Sequence, residues 1–446
     1  MKSFFKVWWI ALAVKTVIAI CLPLSNDEAY YWVWGHHPHL SYFDHPPMVG
    51  WLFYLGTFLE NIGHAARLPG VIVGHLTLLV WHKILSPYLN EKQLKHWLIF
   101  VLFSPFIGLG SLIQTPDVPM IFFWSLSLLL LLKLLEQPKL SLYAALGASL
   151  GLGFCSKYLI VIFVPIAIVW LIFSGEWRKV RWVYVPVTIL VGLIFCLPVL
   201  IWNAENEWAS FAFQLGHGLV SQKKNPMWPV NYLLGQIAIL FPTTIWFALS
   251  RKEPRQARFL HYFGWLPILF FFSTSFRARV EGNWPAMAHP ALLSLAFSNG
   301  PTSKWLRGTV VIWILATVLV FSQVLYPWIP VDSKKLKTSE FSRYDILLPI
   351  AKEKPELYFF SYQMAAAVSY KMKKQFFKLE GLNRRDFYDF TPQSRPKGDR
   401  FSLINGINDG LPEWAVQAGY VVTSERRLSD DFRLVEVERR AQDSNR

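Results

Sequence analysis

Residues 183–201 read VYVPVTILVGLIFCLPVLI, without a single charged side chain. A helix rises about 1.5 Å per residue, so roughly twenty apolar residues cross a hydrocarbon layer ~30 Å thick. The run is bounded by Arg178, Lys179 and Arg181 before it and by Asn203, Glu205 and Asn206 after it, which marks both ends of a membrane span. Comparable runs recur along the first three quarters of the chain, and the expected spans are 4–23, 63–82, 97–113, 118–135, 142–156, 158–174, 183–201, 228–249, 258–276, 284–299 and 307–328. The reading is an α-helical polytopic membrane protein with about eleven transmembrane helices. From Val331 the composition turns to a charged, mixed sequence with no spanning run, which divides the chain into a membrane domain, 1–330, and a soluble C-terminal domain, 331–446. Within the latter, 356–360 and 418–422 read as short strands and 363–374 as a helix, predicting a small α/β or α+β unit.

Of 446 residues, 53% are hydrophobic, and the formal net charge is +15. In a membrane chain basic residues set orientation, so this excess does not point to nucleic acid. With the N-terminus in the cytoplasm, Lys83, Lys92 and Lys95; Lys133 and Lys139; Arg178, Lys179 and Arg181; Arg251, Lys252, Arg255 and Arg258; and Lys304 and Arg307 all fall on the side of Lys2 and Lys6. The opposite loops are far poorer in Lys and Arg, as the positive-inside rule requires. The first apolar run lacks a small-residue cleavage site and reads as a helix that stays in the membrane. Lys15 within it either snorkels or faces a polar cavity. Cys21, Cys155 and Cys196 lie in apolar runs and form neither a disulfide framework nor a metal spacing.

The same threading gathers the unusual polar segments on the outer face: 25–47, 114–119, 203–227 and 277–284. An odd number of spans puts the C-terminal domain there too. The first outer loop, 24–61, is too polar at its start to cross. Its aromatics Tyr30, Tyr31, Trp32 and Trp34 suit helices lying in the membrane interface. That loop carries Asp27 and Glu28, then Asp44 and His45 ahead of the stiffening pair Pro46-Pro47. Asp117, between Pro116 and Val118, either caps a helix or lines a site. Lys157 either snorkels or binds, and His217 stands between two glycines, followed by Lys223 and Lys224. Arg277, Arg279 and Glu281 precede Asn283-Trp284-Pro285-Ala286 and oppose the charge bias of the outer loops. Carboxylates with nearby cations at a bilayer surface suit an amphiphile with an anionic head. Lys and Arg would hold a phosphate, and a carboxylate would accept a proton from an attacking hydroxyl. A transporter or flippase of a lipid-linked or anionic substrate is the alternative, but it would place its charges at mid-membrane with internal symmetry.

The succession Asp27-Glu28-Ala29-Tyr30-Tyr31, Tyr42-Phe43-Asp44-His45-Pro46-Pro47, Thr115-Pro116-Asp117-Val118-Pro119, Ser156-Lys157-Tyr158, Phe213-Gln214-Leu215-Gly216-His217-Gly218 and Asn283-Trp284-Pro285-Ala286 resembles the bacterial GT-C glycosyltransferases. These include protein O-mannosyltransferases and the aminoarabinose and galacturonic acid transferases of lipopolysaccharide. The resemblance covers residues 1–300. It implies a polyprenyl-phosphate sugar donor, an acceptor on the periplasmic side (lipid A, another envelope glycan or a protein), inversion at the anomeric carbon and an inner-membrane location. It also implies Asp27 as leading candidate for the base, with Asp44 and Asp117 as further acids. Glu28, Tyr30, Tyr31 and Glu281 would contact substrate. No cofactor is certain, and the resemblance pairs Asp44 with His217 as contacts of a divalent metal ion. His45 stands where the aminoarabinose transferases carry a phosphate-binding Lys, so Lys157, Lys224, Arg277 or Arg279 would take over that contact.

Overall fold

The structure, a computed structural model, describes residues 2–219, 225–250, 257–326, 328–329, 341–354 and 356–440. The chain forms two compact units, Met1–Leu22 with Pro38–Ser322, and Pro23–His37 with Gln323–Arg446.

The first unit is helical. Among the described residues five helices are long and apolar enough to cross a membrane: Lys2–Cys21, Ala65–Leu85, Asp117–Glu136, Trp182–Glu205 and Lys304–Leu325. Two further pairs, Glu91–Leu102 with Pro105–Leu112 and Trp228–Leu240 with Pro242–Leu249, are bent by 79° and 89°, giving up to seven spans if each pair counts once. The exact count of eleven is not confirmed by the length and composition of the described helices, among which Leu140–Ser156 and Tyr158–Ser174 are apolar but shorter. The expected spans 97–113 and 228–249 are broken because proline forces the preceding residue out of the helical region. Ser104 is extended, with its hydroxyl capping Gly108 N–H, and Phe241 takes φ +67°. Helices Leu140–Ser156 and Val185–Glu205 approach closely at glycine: a Cβ on Gly147 would lie 2.3 Å from the Thr188 carbonyl oxygen. Small residues at such a crossing let backbones pack where lipid gives no hydrophobic drive for association. Lys15 does not snorkel; it is buried, and its Nζ donates to Ser111 Oγ at 2.6 Å. The three cysteines are free thiols.

The second unit is built on a five-stranded mixed sheet, β1 (Leu357–Phe359), β2 (Phe377–Lys378), β3 (Arg400–Gly406), β4 (Tyr420–Arg427) and β5 (Phe432–Arg439), in the order β2-β1-β3-β5-β4. β1 is parallel to β2 and β3, while β5 is antiparallel to β3 and β4. The parallel step from β1 to β2 is made by helix Tyr362–Met372, as parallel pairing requires a crossover. Leu379, Phe401, Leu403, Val435 and Val437 form its core. The segment Pro23–His37 belongs to this unit, and with it helix Asn26–His36. Tyr30, Tyr31, Trp32 and Trp34 are buried, so the expected interfacial placement of these rings gives way to packing inside protein. The second helix of the same loop, Met48–Gly56, leaves Tyr54 and Leu55 exposed, as an interfacial helix would.

Candidate active site

Asp117 opens helix Asp117–Glu136, where the unpaired N–H groups of the first turn favour negative charge. Pro116, not Asp117, holds the cap position, and no side chain caps there. The carboxylate is instead engaged by side chains from two other parts of the chain. Lys157 Nζ donates to Oδ1 at 2.7 Å, and Asn283 Nδ2 donates to Oδ2, also at 2.7 Å. Lys157 is extended at the end of helix Leu140–Ser156, and this kink turns its side chain inward. The Lys157 and Asp117 side chains are 10% and 12% exposed, so Lys157 is a buried partner and not a snorkelling cation. An ammonium carries three donors, so pairing with Asp117 leaves others for an anionic oxygen. The cap reading of Asp117 and the snorkel reading of Lys157 are both replaced by this ion pair.

The loop with Asp44 is held on both sides. Asp44 is buried, and its carbonyl oxygen accepts from Gln214 Nε2 at 2.6 Å. Phe43 packs on Phe213, with ring centroids 4.7 Å apart. His39 N–H donates to the Tyr42 hydroxyl at 3.2 Å, and burial pushes that phenol above its ordinary pKa. Tyr42 lies against Gly50 so closely that a Cβ there would sit 2.9 Å from the ring, and Gly50 is what lets this loop close on helix Met48–Gly56. Next to Lys157, the Tyr158 hydroxyl is 2.8 Å from Ser210 Oγ. The turn that delivers Ser210 runs through Glu207 and Trp208, both at positive φ, and is tied by Trp208 N–H to the Asn203 carbonyl at 2.7 Å.

Arg279 and Glu281 form an exposed ion pair at 3.1 Å, and Arg277 is exposed. His45 is half-buried. The side chain of His217 and the whole of Lys224 lie outside the described residues. Asp27 and Glu28 are in the second unit, on the first turn of helix Asn26–His36. Asp27 is exposed, whereas Glu28 closes a capping box: Ser25 Oγ accepts from Glu28 N–H at 3.2 Å and Ser25 N–H donates to Glu28 Oε2 at 3.1 Å. Tyr30, expected at the substrate, is buried and spends its hydroxyl on the backbone N–H of Phe387 at 2.8 Å. Among the described residues no three His, Cys, Asp or Glu side chains come together as a metal site.

Sequence reasoning passed over Asn283 and Gln214. Both lie in motifs already singled out, but as neutral amides they carry no charge signal; the contact Asn283 makes with Asp117 spans 166 positions.

Residues 44–202, which carry Asp44, Asp117 and Lys157, match the dolichyl-phosphate-mannose-protein mannosyltransferase family. The solved structure of ArnT from Cupriavidus metallidurans, bound to undecaprenyl phosphate, superimposes with a TM-score of 0.67 over 97% of each chain at 14% identity. The chain has the GT-C fold. The lipid A galacturonosyltransferase RgtD of Rhizobium johnstonii is 24% identical over 68% of this GT-C chain and 66% of its own length. The undecaprenyl phosphate-alpha-4-amino-4-deoxy-L-arabinose arabinosyl transferase 2 of Pseudomonas fluorescens is 27% identical over 60% and 51%, respectively. The matched region thus spans about half to two thirds of the curated relatives' length.

Proposed function

We propose that this GT-C chain moves a sugar from a polyprenyl-phosphate donor to an acceptor on the periplasmic side of the inner membrane, with lipid A first among the acceptor candidates. The observation that carries the reading is the Asp117–Lys157–Asn283 cluster, with Asp117 and Lys157 buried, in a chain whose fold matches a structure bound to undecaprenyl phosphate. The relatives named for lipid A galacturonosyl and aminoarabinosyl transfer point the same way.

The reaction is a single inverting displacement. The acceptor oxygen attacks the anomeric carbon, the carbon–oxygen bond to phosphate breaks, and polyprenyl phosphate departs with the bonding pair. The acceptor proton passes to a carboxylate, assigned to Asp27 with Asp44 as the competing choice. Oxocarbenium character at the sugar in the transition state is stabilised by neighbouring carboxylates. Lys157 is the cation best placed to hold departing phosphate, because it is buried and retains donors beyond its bond to Asp117, whereas Arg279 is solvated and paired with Glu281. A metal contact through Asp44 and His217 rests on resemblance alone, and no step is routed through an ion. The charge bias of the loops supports a cytoplasmic N-terminus with the acids and C-terminal unit in the periplasm; cysteine labelling from each side tests this.

The deciding experiment is mass spectrometry of lipid A and envelope glycans from wild type and from strains carrying Asp27→Asn or Asp44→Asn, with purified protein assayed for release of free polyprenyl phosphate. Loss of one sugar mass in one fraction names sugar and acceptor together. Full turnover in Asp27→Asn moves the base to Asp44. No release of polyprenyl phosphate by wild type with any donor overturns transfer in favour of transport.

A further inference from the structure

Helix Asn26–His36 has eleven residues, too few to hold its shape in water unaided, so its order comes from what it packs against. Within the second unit it packs against aromatic rings. The Tyr30 ring lies 4.5 Å from Tyr362 and 6.1 Å from Tyr388, and Trp32 meets Tyr370 at 5.3 Å. The polar lock is the Tyr30 hydroxyl, accepting from Phe387 N–H at 2.8 Å. Phe387 begins the short helical turn Phe387–Phe390, where a backbone N–H has no partner within the turn, so the phenol satisfies a donor that would otherwise be stranded.

The anchor turn is itself fixed. Asp386 Oδ1 accepts from Tyr388 N–H at 2.9 Å, and Asp389 Oδ2 accepts from Asp386 N–H at 2.8 Å. Lys378, with no exposed side-chain surface, lies 2.8 Å from Asp386 and 2.6 Å from Asp389. One fully buried ammonium thus ties together the two carboxylates that cap this turn.

From this we infer that the C-terminal unit is the positioning element for Asp27, and that Tyr30 is the positioning residue through which it acts. The inference rests on the reading of Asp27 as the base. Asp27 precedes Tyr30 by three residues, so the two share one side of the helix, and pinning Tyr30 sets the height and rotation of Asp27. A general base works only within hydrogen-bond reach of its proton, and a misplacement of about 1 Å can lower the rate on the order of a hundredfold.

The test uses the full-length protein in lipid nanodiscs. Hydrogen exchange of amides 26–36 is measured for wild type and Tyr30→Phe. Turnover is measured with undecaprenyl phosphate-linked 4-amino-4-deoxyarabinose and undecaprenyl phosphate-linked galacturonic acid as donors and lipid A as acceptor. Exchange should quicken severalfold in Tyr30→Phe, kcat should fall severalfold, and KM for the donor should stay within twofold. Phe387→Pro removes the donor from the other side, at a first helical position that tolerates proline and after a residue already extended, and should give the same kcat loss. Unchanged kcat in both variants, with Asp27→Asn inactive, overturns the positioning role and leaves the base assignment standing. Full turnover in Asp27→Asn overturns both. A rise in KM alone, or unaltered exchange with unaltered kcat, also overturns the inference.

Discussion

Replacing Lys157 by Met removes one partner of a buried ion pair and keeps most of the side-chain volume. Both side chains are about nine-tenths buried, so solvent screens little of the interaction, and Asp117 would be left with Asn283 as its one remaining side-chain donor among the described residues. Stranding a buried charge in this way costs about 3–5 kcal/mol. That is a large share of the roughly 5–15 kcal/mol by which folded proteins exceed their unfolded states. The double variant Lys157→Met with Asp117→Leu removes the stranded charge as well, and should recover most of the loss, since an apolar pair of similar volume often serves as well as a buried ion pair. Equilibrium unfolding in mixed micelles, run as a double-mutant cycle, reads the coupling directly. Turnover separates structure from chemistry: the double variant should regain stability without regaining sugar transfer, because it has lost the cation assigned to phosphate. A loss below about 1 kcal/mol for Lys157→Met, or additivity within ~0.5 kcal/mol, would refute the claim that these groups form a buried, coupled pair.

Asn283→Ala deletes a neutral donor to the same carboxylate, and should cost about 1.5–3 kcal/mol in the same unfolding assay, less than Lys157→Met. Gly147→Leu drives a side chain into the Thr188 carbonyl and should abolish accumulation of folded protein on size-exclusion chromatography, while Gly308→Ala, with nothing within 4 Å of the added methyl, should behave as wild type. Tyr388 is buried, and burial with the charge of Asp386 pushes its phenol well above the ordinary 10.0. The unfolded chain therefore loses this proton first as pH rises above 10, so the stability due to neutral Tyr388 is intact below that pH and falls above it. Tyr388→Phe, which also removes a buried hydroxyl with no hydrogen-bond partner among the described residues, should move the alkaline unfolding midpoint of the protein upward, followed by near-ultraviolet circular dichroism.

The membrane fold is readable because a bilayer imposes its demand over some twenty consecutive residues, and the run at 183–201 meets it in composition alone. The same averaging hides the breaks at Pro105 and Pro242, where one residue redirects a helix that hydropathy treats as continuous. Charge marks Asp44, Asp117 and Lys157 in the sequence, but no window along it shows that Asp117 and Lys157 pair across 40 positions. Local geometry left a trace as well, since Ser25 followed three residues later by Glu28 is the signature of a capping box, although the acid there reads as readily as a substrate contact.

Tyr30, Tyr31, Trp32 and Trp34 show why the remainder was hidden. An amphipathic ring is equally suited to a lipid headgroup layer and to a protein surface that supplies one polar partner, because both bury the face and satisfy the hydroxyl or indole N–H. For Tyr30 the polar partner is the Phe387 N–H, 357 positions away, and no window along the chain contains both residues. On the reading of Asp27 as the base the consequence reaches function, because the helix that carries it packs within the C-terminal unit. Substitutions in that unit should therefore alter turnover without touching any acid of the site.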